Sequence, residues 1–261
     1  MPIHLIDISE EYPELNNVYH LGYYIPKNTG MDDQLSREVL NFKENKASSV
    51  RQWKHLFDSV DLPRKHGFCV RVLGHDEMNV PTGSNLPLDR LGQYLSDKYA
   101  SLNYFPQMIA KSKQTQALKF LGRNERRQEL AGAYRCIIFE QQFLDRFPEK
   151  RYHKFSLIII DDIITTGSSL IAVSHAIQET YPNAIINCVT LTKTSDPDPH
   201  ELNHNQELYN FFTGGSQQSS FPPTGWKDVS ELFQDPDDYD VDDSDYDDDA
   251  SKWSENSTES G

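Results

Sequence analysis

Residues 157–170 read LIIIDDIITTGSSL. Two consecutive carboxylates, Asp161 and Asp162, follow an apolar run. After Ile163 and Ile164 come five small or hydroxylated residues: Thr165, Thr166, Gly167, Ser168 and Ser169. Ionised carboxylates only accept hydrogen bonds, so they repel a phosphate and suit a vicinal diol. The hydroxyls of 165–169 can donate, and they suit a phosphate. A helix starting at Ser168 would add unpaired N–H groups and a positive dipole end. Gly167 would let the backbone curl close to the anion. One stretch thus carries acceptors for two sugar hydroxyls and donors for a phosphate, as a ribose 5-phosphate unit requires. The plainer reading is a strand followed by a helix capped by Ser or Thr. It leaves two adjacent acids at the end of a buried strand, at a solvation cost and without a role.

These residues need elements to position them. The short β-branched run at 157–160 has the character of a central parallel strand. From Ser168, Leu170, Val173 and Ile177 share one helical face, and Pro182 ends that helix. A second apolar run covers 184–191. Strand, helix and strand make a βαβ unit, so the expected class is α/β with a parallel central sheet and flanking helices. Further strands are expected at 16–25 and 68–73, with helical spacing over 31–57 and from Leu88 to Tyr99. Beyond Pro197 the pattern weakens, and 214–225 has the composition of a loop.

The strand–loop–helix of 157–170 resembles the 5-phosphoribosyl 1-pyrophosphate (PRPP) signature of type I phosphoribosyltransferases. Residues 114–134, QTQALKFLGRNERRQELAGAY, resemble a segment of the ComF-type competence branch, through Gln116, Leu118, Arg127 and Tyr134. YHLGYYIP near the start, NFK at 41–43 and TLTKTSDP at 190–197 fit that branch more loosely. The cysteine zinc module common in the branch is absent, and its Arg-Gly-aromatic-Asn turn survives only dimly at Arg90, Leu91, Gly92 and Gln93.

The resemblance implies a type I phosphoribosyltransferase fold over residues 1–225. Its core would cover about 65–195, with a hood from 1–60 and 195–225. The implied reaction transfers phosphoribosyl from PRPP to a nitrogen acceptor and releases pyrophosphate, with magnesium riding on the substrate phosphates rather than in an all-protein cage. Asp161 and Asp162 would hold the ribose and 165–169 the 5′-phosphate. Arg71, Gly74 and His75 would meet the pyrophosphate, and Lys193 the acceptor. The basic stretch 111–127 would be a mobile flap, with Lys111 and Lys113 foremost and Arg123 and Arg127 behind. Bland readings stand beside these: Arg71 paired with a nearby acid, His75 an ordinary turn residue, and the basic run a solvated helix face. The family also favours homodimers.

Two other functions fit the loop: a non-catalytic PRPP or nucleotide sensor, and a ComF-like accessory to DNA handling. A sensor needs no cations for a leaving group, so the basic stretch favours catalysis. A long nucleic-acid footprint is not supported, because only 111–127 is strongly basic. His200, Glu201 and His204 spell the zinc-protease string HExxH. Pro197 and Pro199 precede it closely, so a chance His pair on an exposed helix is expected instead.

The net charge of −15 is unevenly distributed. From Lys227 onward there are fourteen acids and two bases, so −12 of the −15 lies there and −3 elsewhere. Residues 226–261 therefore read as a disordered acidic tail, solubilising or able to dock on a basic partner. Three scattered cysteines argue against a disulfide framework. No apolar run is long enough for a membrane span, and the start does not read as a secretory signal. A cytoplasmic setting is expected.

Overall fold

The computed structural model describes residues 3–60, 62, 67–118, 121–137, 156–196 and 198–213. The expected loop at 214–225 and acidic tail at 226–261 lie outside them, as do residues 119–120 of the basic stretch. The chain is α/β. Its central sheet has six strands: β1 (Ile6–Asp7), β2 (Asn17–Tyr24), β3 (Gly67–Arg71), β4 (Leu102–Tyr104), β7 (Ser156–Ile164) and β8 (Ile185–Thr194). They lie in the order β1-β2-β8-β7-β3-β4. All neighbours pair in parallel except β1, which joins the edge antiparallel to β2. A separate antiparallel hairpin pairs β5 (Ile109–Lys111) with β6 (Tyr134–Cys136).

Six α-helices are described: α1 (Gln34–Lys43), α2 (Ala47–Phe57), α3 (Pro87–Lys98), α4 (Arg123–Leu130), α5 (Ser168–Thr180) and α6 (Pro199–Thr213). The periodicity over 31–57 is one pattern, but the helix is two. Asn45 adopts φ 58° and donates its N–H to the Phe42 carbonyl, ending α1 before α2 begins. Asn tolerates this left-handed conformation better than most residues.

The sheet separates two cores. Leu35, Val39, Val50, Trp53, Leu91, Leu95 and Leu208 bring α1, α2, α3 and α6 onto one face. Leu130, Leu170, Val173 and Ile177 bring α4 and α5 onto the other. With both faces covered, β7 can be apolar on both sides. Leu157 and Ile159 enter one core, and Ile158 and Ile160 the other. Past Asp161 and Asp162 the alternation changes phase: Ile163 packs on the second core and Ile164 on the first.

Strand order locates the crevice. From β3 the chain moves outward through α3 to β4, then returns to β7 on the other side of β3 and continues to β8. The direction of winding therefore reverses between β3 and β7. In open α/β sheets, ligands bind beyond the carboxyl ends of the strands at such a point. Arg71 lies opposite Ile160, and the Val72 N–H donates to the Ile160 carbonyl over 3.1 Å. The loop after β3 therefore starts beside the two aspartates.

Among the described residues, no helix is long and apolar enough to cross a membrane. Cys69, Cys136 and Cys188 are free thiols.

Candidate functional site

Strand β7 runs through the acidic pair to Ile164, and α5 begins at Ser168. Gly167 precedes α5 with φ 69°, a left-handed turn that favours glycine. The chain thus makes the expected strand–loop–helix at the expected residues. Within the loop, the Thr166 and Ser168 hydroxyls are bonded at 2.9 Å, and Thr165 Oγ1 meets Thr194 Oγ1 of β8 at 2.7 Å. Thr165 is exposed and Ser168 is buried.

The two acids differ. Burial first, and then the Asp162 charge, push the Asp161 carboxyl up to about 8. Three influences oppose them: the Asp162 N–H, which donates to Asp161 Oδ1 over 2.9 Å, and the charges of Lys43 and Arg71. The Asp162 side chain is 18% exposed and pairs with Lys43 of α1, Nζ lying 3.2 Å from Oδ2. Lys43 enters the sequence reading only within NFK. Its partner is 119 positions away, so no local pattern reveals the pair.

Arg71 and Lys111 are not presented as ligand donors. Arg71 is 2% exposed, and its guanidinium is shared between Asp89 (2.6 and 3.2 Å) and Glu77 (2.7 Å twice). Burial disfavours its charge, but these carboxylates outweigh burial and hold it charged. Ser84 and Tyr104 also bond Asp89. The pairing of Arg71 with nearby acids is thus the arrangement observed. Lys111 is 3% exposed, and it donates to the carbonyls of Gly74 (2.5 Å) and His75 (3.3 Å) and to Thr115 Oγ1 (2.9 Å). Burial lowers its proton affinity, against the pull of Glu77 and Asp76. The Gly74 N–H donates to Glu77 over 2.6 Å, and His75 is exposed. Lys111 therefore fastens the loop after β3 to the β5–β6 hairpin, where a mobile cation was expected. Lys113 is exposed in the following turn.

Arg127 and Lys193 are tied to the N-terminal segment, which the sequence reading placed in the hood without naming a site residue in it. Glu14 takes Arg127 at 2.5 Å, and Glu11 takes Lys193 at 2.6 Å. Between them the Tyr12 hydroxyl donates to the Thr165 carbonyl over 3.1 Å. Its ring lies on the Gly167 turn: a Cβ placed there would be 2.6 Å from Tyr12 Cδ1. Burial and the Glu11 charge raise the Tyr12 phenol to about 12, with Arg123 pulling the other way. Residues 11–14 thus bridge the loop and the cations on either side of it.

The HExxH string lies at the start of α6 without a metal site. His204, expected to be exposed, is buried, with Nε2 2.7 Å from the Leu21 carbonyl, and Glu201 accepts from Ser195 over 2.8 Å. Among the described residues, no group of three or more His, Cys, Asp or Glu side chains could hold a metal ion.

No protein-family model matches this sequence, and no curated protein matches it.

Proposed function

We propose that this chain is a PRPP-dependent phosphoribosyltransferase of the type I fold. The observation that carries the reading is the join of β7 to α5: adjacent carboxylates at a strand end, then a hydroxyl-rich loop with a left-handed Gly167, beside the reversal of winding. In this reading Asp161 and Asp162 accept from the 2′ and 3′ hydroxyls of the ribose. The hydroxyls and amides of 165–169 donate to the 5′-phosphate. The bond from C1′ to pyrophosphate breaks with its electron pair leaving on pyrophosphate, and a nitrogen acceptor forms the new bond to C1′ and gives up its proton to solvent. Fixed carboxylates near C1′ favour the positive charge that develops there. Magnesium would come with the pyrophosphate oxygens. Lys193 and Arg127 would engage ligand anions by exchanging Glu11 and Glu14 for them.

Isothermal calorimetry with PRPP, with and without magnesium, tests the proposal on the wild type and on Asp161→Asn/Asp162→Asn. Magnesium-dependent binding, weakened at least about 100-fold in the double variant, is expected for two lost bonds to charged acceptors. A folded wild type that binds no ribose 5-phosphate compound would sink the reading. A sensor reading has one observation in its favour: Arg71 and Lys111, two cations expected at the pyrophosphate, are committed to internal partners. Pyrophosphate release across a panel of bases and amines separates the two.

A further inference from the structure

The contact between α1 and the acidic pair assigns a role to a residue outside the β7–α5 motif. Lys43 is the last residue of α1, and Leu35, Val39 and Phe42 seat that helix in the core. A lysine at a helix C-terminus ordinarily serves the helix's own carbonyls. Lys43 instead spans to β7, with Nζ 3.2 Å from Asp162 Oδ2 and 3.4 Å from Oδ1. Its side chain is 45% exposed, so it lies along the open edge of the pair.

Two adjacent carboxylates beyond a buried strand repel each other, and repulsion drives one of them to keep a proton. A protonated carboxyl is a poorer acceptor and presents an O–H that competes with a diol. A cation held against the pair counters this. Among the described residues, the charged and titratable groups that act on the pair are Lys43 from α1, Arg71 from β3, Tyr134 from β6 and Cys188 from β8, with Tyr24 of β2 near Lys43. Arg71 is bound to Glu77 and Asp89, which offset its charge. Among the described residues, Lys43 is the cation directly bonded to the pair.

We propose that Lys43 is the positioning residue of this site, fixing the Asp162 carboxylate and supplying a counter-charge that makes the second proton of the acidic pair easier to lose when a vicinal diol binds. This rests on the ribose 5-phosphate reading of the loop. Burial opposes the Lys43 charge, but Asp162 and Asp161 outweigh it and raise its proton affinity. The Lys43 charge in turn lowers the proton affinity of Asp161.

Two measurements test the proposal on the full chain, for the wild type, Lys43→Met and Lys43→Arg. The first follows Asp161 by carbon NMR of its carboxyl through a pH titration, without ligand. Lys43→Met is expected to move the midpoint up by about one unit, and Lys43→Arg to restore it. An unmoved midpoint in Lys43→Met overturns the proposal whatever the ligand proves to be. The second is calorimetry with ribose 5-phosphate over the same pH range. Binding falls as pH drops through the Asp161 midpoint, and that fall is expected at higher pH in Lys43→Met, with about tenfold weaker binding at neutral pH. Equal affinity and an equal pH profile in the two proteins overturn it. A loss of affinity with an unmoved profile, shared by Lys43→Arg, also overturns it, because it indicates a merely structural role. If the NMR midpoint moves but the wild type binds neither ribose 5-phosphate nor PRPP, the charge-setting role of Lys43 stands and the phosphoribosyl reading fails.

Discussion

Asp161 is the residue at which stability opposes the proposed chemistry. Its proton affinity is raised in the folded state, so the folded chain holds a proton that the unfolded chain has lost over the interval from ordinary carboxylate values to about 8. Stability is therefore highest below that interval, falls as pH rises through it, and levels off above it. Asp161→Asn removes the charge but keeps the shape. It is expected to stabilise the protein near neutral pH by about 1–3 kcal/mol, with little effect near pH 4. Thermal melts at both pH values check this, and a lower midpoint at neutral pH would show the carboxylate to be well solvated. Asp89 has the opposite sign. Burial works against its ionised form, but bonds from Arg71, Ser84 and Tyr104 hold its carboxyl below the usual range. Its contribution is present above ordinary carboxylate pKa values and is lost as pH falls through the depressed one. Asp89→Ala leaves the Arg71 charge buried and only partly compensated, so a loss of about 3–5 kcal/mol in denaturant unfolding is expected. A loss under about 1 kcal/mol would mean that Glu77 alone suffices. The placement of Asp161 and Asp162 near the end of a strand and of Gly167 in the turn before a helix was legible because it is local: type, order and adjacency carry it. The commitments of Arg71 and Lys111 were not, because Asp89 is 18 positions from Arg71, and Gly74 is 37 from Lys111. Type alone does not tell a free cation from a buried strut.

Among the elements, the join between β7 and α5 is the most constrained. Gly167 combines a left-handed φ with the Tyr12 ring against its open side. An alanine there costs about 1–2 kcal/mol from the backbone alone. It also adds a clash, since the Tyr12 ring is held by the hydroxyl bond to Thr165. Gly167→Ala is thus expected to cost more than the backbone term. In a Tyr12→Ala background, its cost should shrink toward that term. A double-mutant cycle in urea reads the coupling, and strict additivity would show that the ring moves aside freely. β2, β3, α3, β7, α5 and β8 all lie where hydrophobic spacing puts them. The short ones escaped. β4, β5 and β6 have three residues each, too few to display alternation. Helix α6 was expected only as an exposed helix carrying the HExxH string; instead His204, Asn205, Leu208 and Phe212 are buried, and Pro199 occupies the first helical turn, where it is tolerated. The basic stretch was read by its charge, yet its first residue, Lys111, ends the β5 strand and finds its acceptors in the loop after β3.

Over the whole molecule, the sheet order turns separate features into one place. β3 delivers the loop at 72–77, β7 the acids, α5 its N-terminus, β8 Lys193 and α1 Lys43, all toward the carboxyl side of the sheet. Parallel class was legible from the βαβ unit; strand order was not, because it depends on long-range pairing such as Asn17 with Asn187. A ligand in this crevice would touch elements from both cores at once, so its binding free energy should appear in global unfolding. With PRPP and magnesium at about 100 times Kd, linkage adds about 2.7 kcal/mol, or about 5–10 °C in thermal midpoint for a domain of this size. The same addition should leave Asp161→Asn/Asp162→Asn unmoved. Glu11→Gln/Glu14→Gln should show a larger shift than the wild type at equal ligand, because Lys193 and Arg127 then need not give up carboxylate partners. Scanning fluorimetry of the three proteins distinguishes the cases. Equal shifts in all three would place the ligand elsewhere on the chain, and no shift in the wild type would leave the crevice without a phosphoribosyl ligand.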